Sequence, residues 1–237
     1  MLVYRPKKLK FQVYFIDVSA FILNLIPINL FSFSVFQTLH EILMNQDLKQ
    51  KICTFEEGSP DENPWVNGKP TPSVIKIEPY NELWVTLFNQ QKENIIQKLK
   101  DKCLAIEHIG STAVPGLDAK PIIDIDLIVA DPADEPSYIP WLNQLGYELT
   151  VRELSWYQHR MLKLDTPKVN LHVFAPNCPE HLRHILFRDW LINHKEDREL
   201  YIDAKLSAKE DVENVHQYNQ KKDHVVKAIY QRIFDSL

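Results

Sequence analysis

The stretch PIIDIDLIVA, residues 121–130, sets the tightest limit on what this chain can fold into. It is a near-continuous apolar run of strand length, the kind that is stable when buried within a sheet. Two acids, Asp124 and Asp126, interrupt it. Side chains alternate along a strand, so both acids point to one face while Ile123, Ile125 and Leu127 point to the other. Aspartates are costly in such a run unless a cation or strong hydrogen-bond donors meet them.

The neighbouring segments extend the pattern. LAIEHIG (104–110) alternates as a strand, and GSTAVPG is a turn with room for one helical turn. VIKIEPY (74–80) reads as a short strand. Residues 81–101 read as a helix with Leu83, Leu87, Ile95 and Leu99 on one stripe. A second helix is expected around 135–146, with Trp141 and Leu145 one turn apart and a stop at Gly146. RMLKLD (160–165) and KVNLHVF (168–174) form a hairpin across Thr166-Pro167, and 179–237 is largely helical in two or three segments. In KVNLHVF, Asn170 and His172 share a face. If that strand neighbours the Asp strand, one sheet face is apolar and the other carries Asp, Asp, Asn and His. The expected fold class is α+β, a mixed sheet with flanking helices and a helical C-terminal portion.

At 237 residues the chain suits one medium domain plus an appendage, and 45% hydrophobic with 25% charged residues is ordinary for a soluble globular protein. The formal net charge of -5 gives no footprint for a nucleic-acid backbone, yet leaves room for a nucleotide-sized anion held by a local cluster. Cys53, Cys103 and Cys178 lie far apart without a CxxC, which points to reduced thiols in a cytoplasmic protein. Residues 1–43 differ from the rest: Val18 to Phe36 carries no charge and follows the basic RPKKLK. Three readings are open: translation beginning at Met44, a membrane anchor, and an extra soluble segment. An anchor would send the downstream domain outside the cell, away from phosphorylated cytosolic metabolites, so a membrane is not expected otherwise. Residues 44–73, with EEGSPDENPWVNGKPTPS (56–73), read as a linker or surface-hugging extension, and 74–237 as the functional domain.

Two carboxylates a few ångströms apart repel unless a cation neutralises them, and Mg²⁺ favours one or two carboxylates plus phosphate oxygens. Asp124 and Asp126 are therefore candidate ligands for Mg²⁺ or Mn²⁺. The backbone and hydroxyls of Gly110, Ser111 and Thr112 suit phosphate oxygens. Lys120 adds a positive charge, His108 a donor at the same rim, and His172 a ligand or proton-transfer group. Arg188-Asp189 reads as an ion pair locking helix to sheet, beside an apolar stripe of Leu182, Leu186 and Trp190. Lys222 lies on a helical line with Tyr218, Val225 and Ile229, so it either snorkels or meets an anion in a cleft. His159, His181, His184, His194, His216 and His224 are not spaced as a metal set and read as surface residues.

IEHIGSTAVPGLDAKPIIDI, the later LHVF, LFRDWL, and Tyr218 with Lys222 together closely resemble the GrpB family, from about Ile75 to near the C-terminus. Its members are regarded as relatives of the DNA polymerase beta-like nucleotidyltransferase fold. The resemblance implies that Gly110 and Ser111 precede an Asp-x-Asp strand whose acids, Asp124 and Asp126, bind Mg²⁺ and a nucleoside triphosphate. Active transferases of that fold carry a third acid on a neighbouring strand. Here VNLHVF offers Asn170 and His172, and Asn170 departs even from the common H-L-H-V. Some members are fused to dephospho-CoA kinase, which implies a coenzyme A or nucleotide context. Two functions are consistent with this: binding a nucleotide or nucleotide-containing cofactor with nucleotidyl transfer, or binding without turnover.

Overall fold

In the computed structural model, residues 46–69, 75–210, 212 and 215–237 are described. The chain divides into two compact units, 1–47 and 48–237, and the architecture is that of the second. The stretch 18–36, with its alternatives of anchor or upstream translation, lies outside the described residues. Among the described residues no helix is long and apolar enough to cross a membrane.

Along the chain come α1 (Leu83–Leu99), β1 (Ala105–Ile109), a 3-10 turn (Ser111–Ala113), β2 (Ile123–Ile128), α2 (Glu135–Asn143), β3 (Glu148–Glu153), β4 (His159–Leu164), β5 (Val169–Phe174), α3 (Pro179–Asn193), α4 (Lys195–Ala208) and α5 (Val215–Ser236). The expected α+β class is the observed one, a five-stranded mixed sheet in the order β1-β2-β5-β4-β3. β2 and β5 are parallel neighbours in the register Asp124↔Asn170 and Asp126↔His172; the other neighbours are antiparallel. The predicted polar face therefore exists. Its reverse side, with Ile123, Ile125, Leu127, Leu171 and Val173, packs against Trp84, Phe88 and Ile95 of α1 and Tyr138 and Leu142 of α2. A second apolar cluster joins the turn residues Val114 and Leu117 to Leu191, Tyr201, Val225 and Ile229 of α3, α4 and α5. It anchors the C-terminal helices beside the polar face.

Several local expectations shift. Residues 75–80 form a single bridge, Glu78 to Ala119, rather than a strand. The inward stripe of α1 is Trp84, Phe88, Gln91, Ile95 and Leu99: Ile95 and Leu99 are as expected, while in the first half the stripe falls on Trp84 and Phe88 rather than Leu83 and Leu87, and Leu83 is 54% exposed. The phase that buries two aromatic rings wins, since they remove more apolar surface from water than leucines do. Gln91 is tolerated there because Tyr147 donates a hydrogen bond to its Oε1 at 3.1 Å. α2 likewise turns Tyr138 and Leu142 inward and leaves Trp141 exposed; Gly146, at φ +90, ends that turn of chain as expected. Strand β3, ELTVRE, is an addition to the expected strands; its alternation is short, with Leu149 and Val151 as its only apolar residues. In α3 the buried side chains include His181, Arg183 and Leu191; of the expected stripe, Leu186 and Trp190 are partly buried against the second apolar cluster and Leu182 is also only partly buried.

The extension 48–69 hugs the sheet. Trp65 bridges to Val151, the Arg152 N–H donates to Pro64 O at 2.8 Å, and Glu62 accepts the N–H groups of Leu154 and Ser155 at 2.5 and 3.1 Å, which covers the β3 edge. Arg183 of α3, fully buried, closes the other end. Its guanidinium donates to the carbonyls of Lys51, Ile52 and Thr54 at 3.0–3.1 Å and pairs with Glu180 at 2.7 Å. Replacing Arg183 with Met should leave these carbonyls and the Glu180 carboxylate without their donor. The expected loss is about 3–5 kcal/mol, read as a lower urea midpoint. Limited proteolysis should then cut before residue 57 at a protease level that spares the wild type.

Candidate functional site

Asp126, in the middle of β2, is 0% exposed. It is met by imidazoles from α3: His181 Nδ1 and His184 Nδ1 each lie 2.9 Å from Oδ2, and His184 Nδ1 lies 3.2 Å from Oδ1. The Nε2 of His184 faces Glu180 Oε1 at 3.4 Å. Burial opposes charge on His184, but the Asp126 carboxylate and the hydrogen bonds to Asp126 and Glu180 outweigh it and push His184 up to about 10. Burial likewise opposes the Asp126 carboxylate, and the His184 charge with both imidazole hydrogen bonds holds it well below the usual range. The pair is an ion pair inside the protein.

Asp124, one turn of the pleat away, is built differently. Asn170 donates its amide to Oδ1 at 2.8 Å, and the carboxyl is pushed up by burial against this bond and the nearby Lys120. Gly110 adopts φ +71, and a Cβ there would lie 2.6 Å from Asp124 Oδ2. Only glycine lets the backbone turn this closely over the carboxylate. Ser111 follows, and Lys205 of α4 lies 3.3 Å from its hydroxyl while bonding the Asp118 carbonyl. Lys120 and Lys222 stand over the Tyr218 ring at 5.3 and 5.5 Å; Lys205 and Lys222 stand over Tyr201 at 4.8 and 5.6 Å. Three ammonium groups thus surround two tyrosines, and among the described residues none has a carboxylate in salt-bridge range. Burial, with the charges of Lys222 and Lys120, brings Lys205 down to about 7.

Of the predicted residues, Gly110, Ser111, Lys120, Asp124, Asp126 and His172 share this face. His108 and Thr112 do not join it. Strand alternation turns His108 to the apolar side, where it stacks on Phe88 and its Nε2 meets Thr112 Oγ1 at 3.0 Å; burial brings it down to about 4. Thr112 also donates to Ile122 O at 3.3 Å, so its hydroxyl is committed internally. Three histidines read as surface are instead central: His181 and His184 on Asp126, and His159, whose Nε2 lies 3.0 Å from His172 Nδ1 and whose Nδ1 lies 2.7 Å from Glu153. Arg188 does lock helix to sheet, through Glu107 at 2.9 Å and the His108 carbonyl as well as Asp189. Lys205 was missed although Tyr201-x3-Lys205 repeats the Tyr218-x3-Lys222 pattern that marked Lys222.

The donors do not fit a Mg²⁺ or Mn²⁺ centre built on two free carboxylates. Both oxygens of Asp126 are within reach of imidazole nitrogens, Asp124 Oδ1 accepts Asn170, and the ion pair with His184 already supplies the compensating charge. Among the described residues no group of three or more His, Cys, Asp or Glu side chains is arranged to hold a metal ion.

Two outcomes follow from this geometry. His184 titrates higher folded than its ordinary 6.5, so its contribution is complete below pH 6.5 and is lost as pH rises through about 10. The stability gap between wild type and His184→Gln, about 3 kcal/mol at its largest, should shrink steadily over that interval in urea titrations; a flat gap would contradict a charged His184. Gly110→Ala should cost at least about 1–3 kcal/mol from φ alone, with the Asp124 contact adding to it.

The family model described as "GrpB protein" matches residues 74–232. A UPF0157 protein of Halalkalibacterium halodurans is 41% identical over 165 residues, covering 69% of this chain and 85% of that protein. Another, of Streptomyces coelicolor, is 36% identical over 166 residues, covering 70% and 87%. The crystal structure of a conserved GrpB protein from Enterococcus faecalis superposes with a TM-score of 0.58 at 29% identity, over 68% of this chain and 98% of that one. With its matched core, sheet and turn, the chain belongs to the GrpB family.

Proposed function

We propose that the chain binds a phosphorylated small molecule, a nucleotide or nucleotide-containing cofactor, with its phosphates on Lys120, Lys205, Lys222 and the Ser111 hydroxyl. The observation that carries this reading is the lysine cluster itself. Burial and then the neighbouring ammonium groups lower the proton affinity of Lys205, with Asp118 opposing them beyond salt-bridge range, and a multiply charged anion would relieve the crowding. Lys120 is pushed down in the same way, by burial first and then by Lys222 and Lys163, against the pull of Asp124. Tyr201 and Tyr218 supply faces beside the ammonium groups. The dephospho-CoA kinase of Mycolicibacterium paratuberculosis, 26% identical over 192 residues and matched over 46% of its length, adds a nucleotide-containing cofactor to the ligands worth testing first.

Nucleotidyl transfer is the second reading, favoured by the same-face register of Asp124 and Asp126 beside the Gly110-Ser111 turn. It ranks lower because it asks the acid pair for a Mg²⁺ or Mn²⁺ site while His181 and His184 occupy Asp126, and because Asn170 stands where a third acid would be.

Titration calorimetry with ATP and with coenzyme A, in Mg²⁺ and in EDTA, tests both. Binding should persist in EDTA. Lys120→Ala and Lys222→Ala should each weaken it about tenfold, the worth of one charge-assisted hydrogen bond, and added salt should weaken it further. No binding to either compound, or equal binding by the lysine variants, would remove the reading; pyrophosphate released from a nucleoside triphosphate would put transfer first.

A further inference from the structure

The polar face holds a second hydrogen-bonded chain that the phosphate site does not use. Glu153 on β3 lies opposite His159 on β4, which reaches diagonally to His172 on β5, the partner of Met161; the links are 2.7 and 3.0 Å. An ionised carboxylate only accepts hydrogen bonds, so Glu153 fixes the proton of His159 on Nδ1. That leaves His159 Nε2 either as a lone pair accepting from His172 or as a second N–H donating to it.

The surroundings decide between the two. His159 is buried, stacked on Phe174 with ring centroids 4.8 Å apart and edge-on to Trp156 at 5.3 Å. A second N–H would make it a cation in an apolar slot. His184, already held charged between Asp126 and Glu180, has its ring 6.0 Å from that of His172. Burial first, and then the repulsion that charges on His159 and His184 would exert, bring His172 itself down to about 3. In the form of His159 that this apolar slot favours, with its one proton directed at Glu153, Nε2 accepts and His172 carries its proton on Nδ1. The Nε2 of His172 is then a lone pair. It has no hydrogen-bond partner among the described residues, yet no fully buried side-chain nitrogen or oxygen lacks one. That nitrogen consequently reaches accessible space. The half-exposed Asn170 and Met161 beside it mark the open part of the face.

We propose that Glu153, His159 and His172 form a relay that fixes the tautomer of His172 and presents its Nε2 as the acceptor for a hydroxyl or N–H group of the ligand, on the same sheet face as Asp124 and Asp126. The relay stands on its own geometry, while its ligand half rests on the phosphate-binding reading above. Glu153 and His159 are positioning residues in this scheme, and His172 is the one that touches the ligand. The recognised group belongs to the non-phosphate part of the molecule, such as a sugar hydroxyl.

Two measurements on the full chain test it. Long-range ¹H–¹⁵N correlation NMR on ¹⁵N-histidine-labelled protein, with His172 assigned through His172→Gln, should show the Nδ1–H tautomer at neutral pH. In Glu153→Gln, where the carboxylate is only part-buried and the fold should survive, that tautomer should give way to a mixture. An Nε2–H or doubly protonated His172 in the wild type overturns the relay, and so does a tautomer indifferent to Glu153→Gln. Calorimetry then compares ATP with inorganic tripolyphosphate. His172→Gln should weaken ATP about three- to tenfold, as one neutral hydrogen bond does, and leave tripolyphosphate unchanged. Equal loss for both probes, or no loss for ATP, overturns the acceptor role. If wild type binds neither probe, the phosphate reading falls and the ligand half falls with it, while the NMR result still decides the relay.

Discussion

The ion pair of Asp126 with His184, joined by the hydrogen bond from His181, is the contact on which the polar face depends. A carboxylate with no exposed surface in a central strand is unfavourable by several kcal/mol unless its charge and lone pairs are met. Here both are met from one helix, by side chains three positions apart, the spacing that puts two residues on neighbouring ridges of the same face. The consequence reaches beyond Asp126. α3 must lie across β2 in one register for both nitrogens to arrive, and Arg188, two turns from His181, completes the docking through Glu107 and the His108 carbonyl on β1. Because α4 and α5 share an apolar cluster with the end of α3, the same contact sets where Lys205 and Lys222 stand relative to the Gly110-Ser111 turn.

The sheet was legible where periodicity carried it. Alternation in IDIDLI and VNLHVF predicts the shared face of Asp124, Asp126, Asn170 and His172, and the parallel register of β2 and β5 brings them level. What periodicity cannot carry is partnership across long separation. His181 and His184 sit 55 and 58 residues from Asp126, and nothing local distinguishes them from solvent-facing histidines until the buried acid is known to need donors. The demand itself was visible: the run around Asp126 asked for a cation, and a divalent metal was the expectation. The chain supplies the cation as an imidazolium instead. His108 shows the opposite failure, since its neighbourhood to Gly110 along the chain placed it at the rim, whereas alternation within β1 should have turned it to the Phe88 side. The stripe of α1 is as expected at Ile95 and Leu99 but one residue out of phase in its first half, because Leu83 and Trp84 both fit a 3.6-residue period and only the volume available under the sheet discriminates.

The charges on the polar face can be paired off, and the remainder says what kind of ligand belongs there. Asp126 and Glu180 share His184, with Glu180 also held by Arg183. Glu107 has Arg188, and Glu153 has the His159 N–H. Asp124 is answered by Asn170 and, at longer range, by Lys120. Lys205 and Lys222 remain, with Lys163 nearby; Asp118 acts on Lys205 at longer range, and no described carboxylate stands in salt-bridge range of any of the three. At the ~20 effective dielectric typical of partly buried sites, two like charges ~4 Å apart repel by ~4 kcal/mol, enough to make a lysine pair unfavourable unless something anionic offsets it. A divalent cation arriving alone would add to that repulsion, whereas a phosphate would remove it. The acids that first drew attention are thus the compensated part of the face, and the lysines contributed by α4 and α5 are the uncompensated part. The proposal of an anionic ligand rests on this imbalance, and under it the acid at Asp124 disfavours phosphate close to β5.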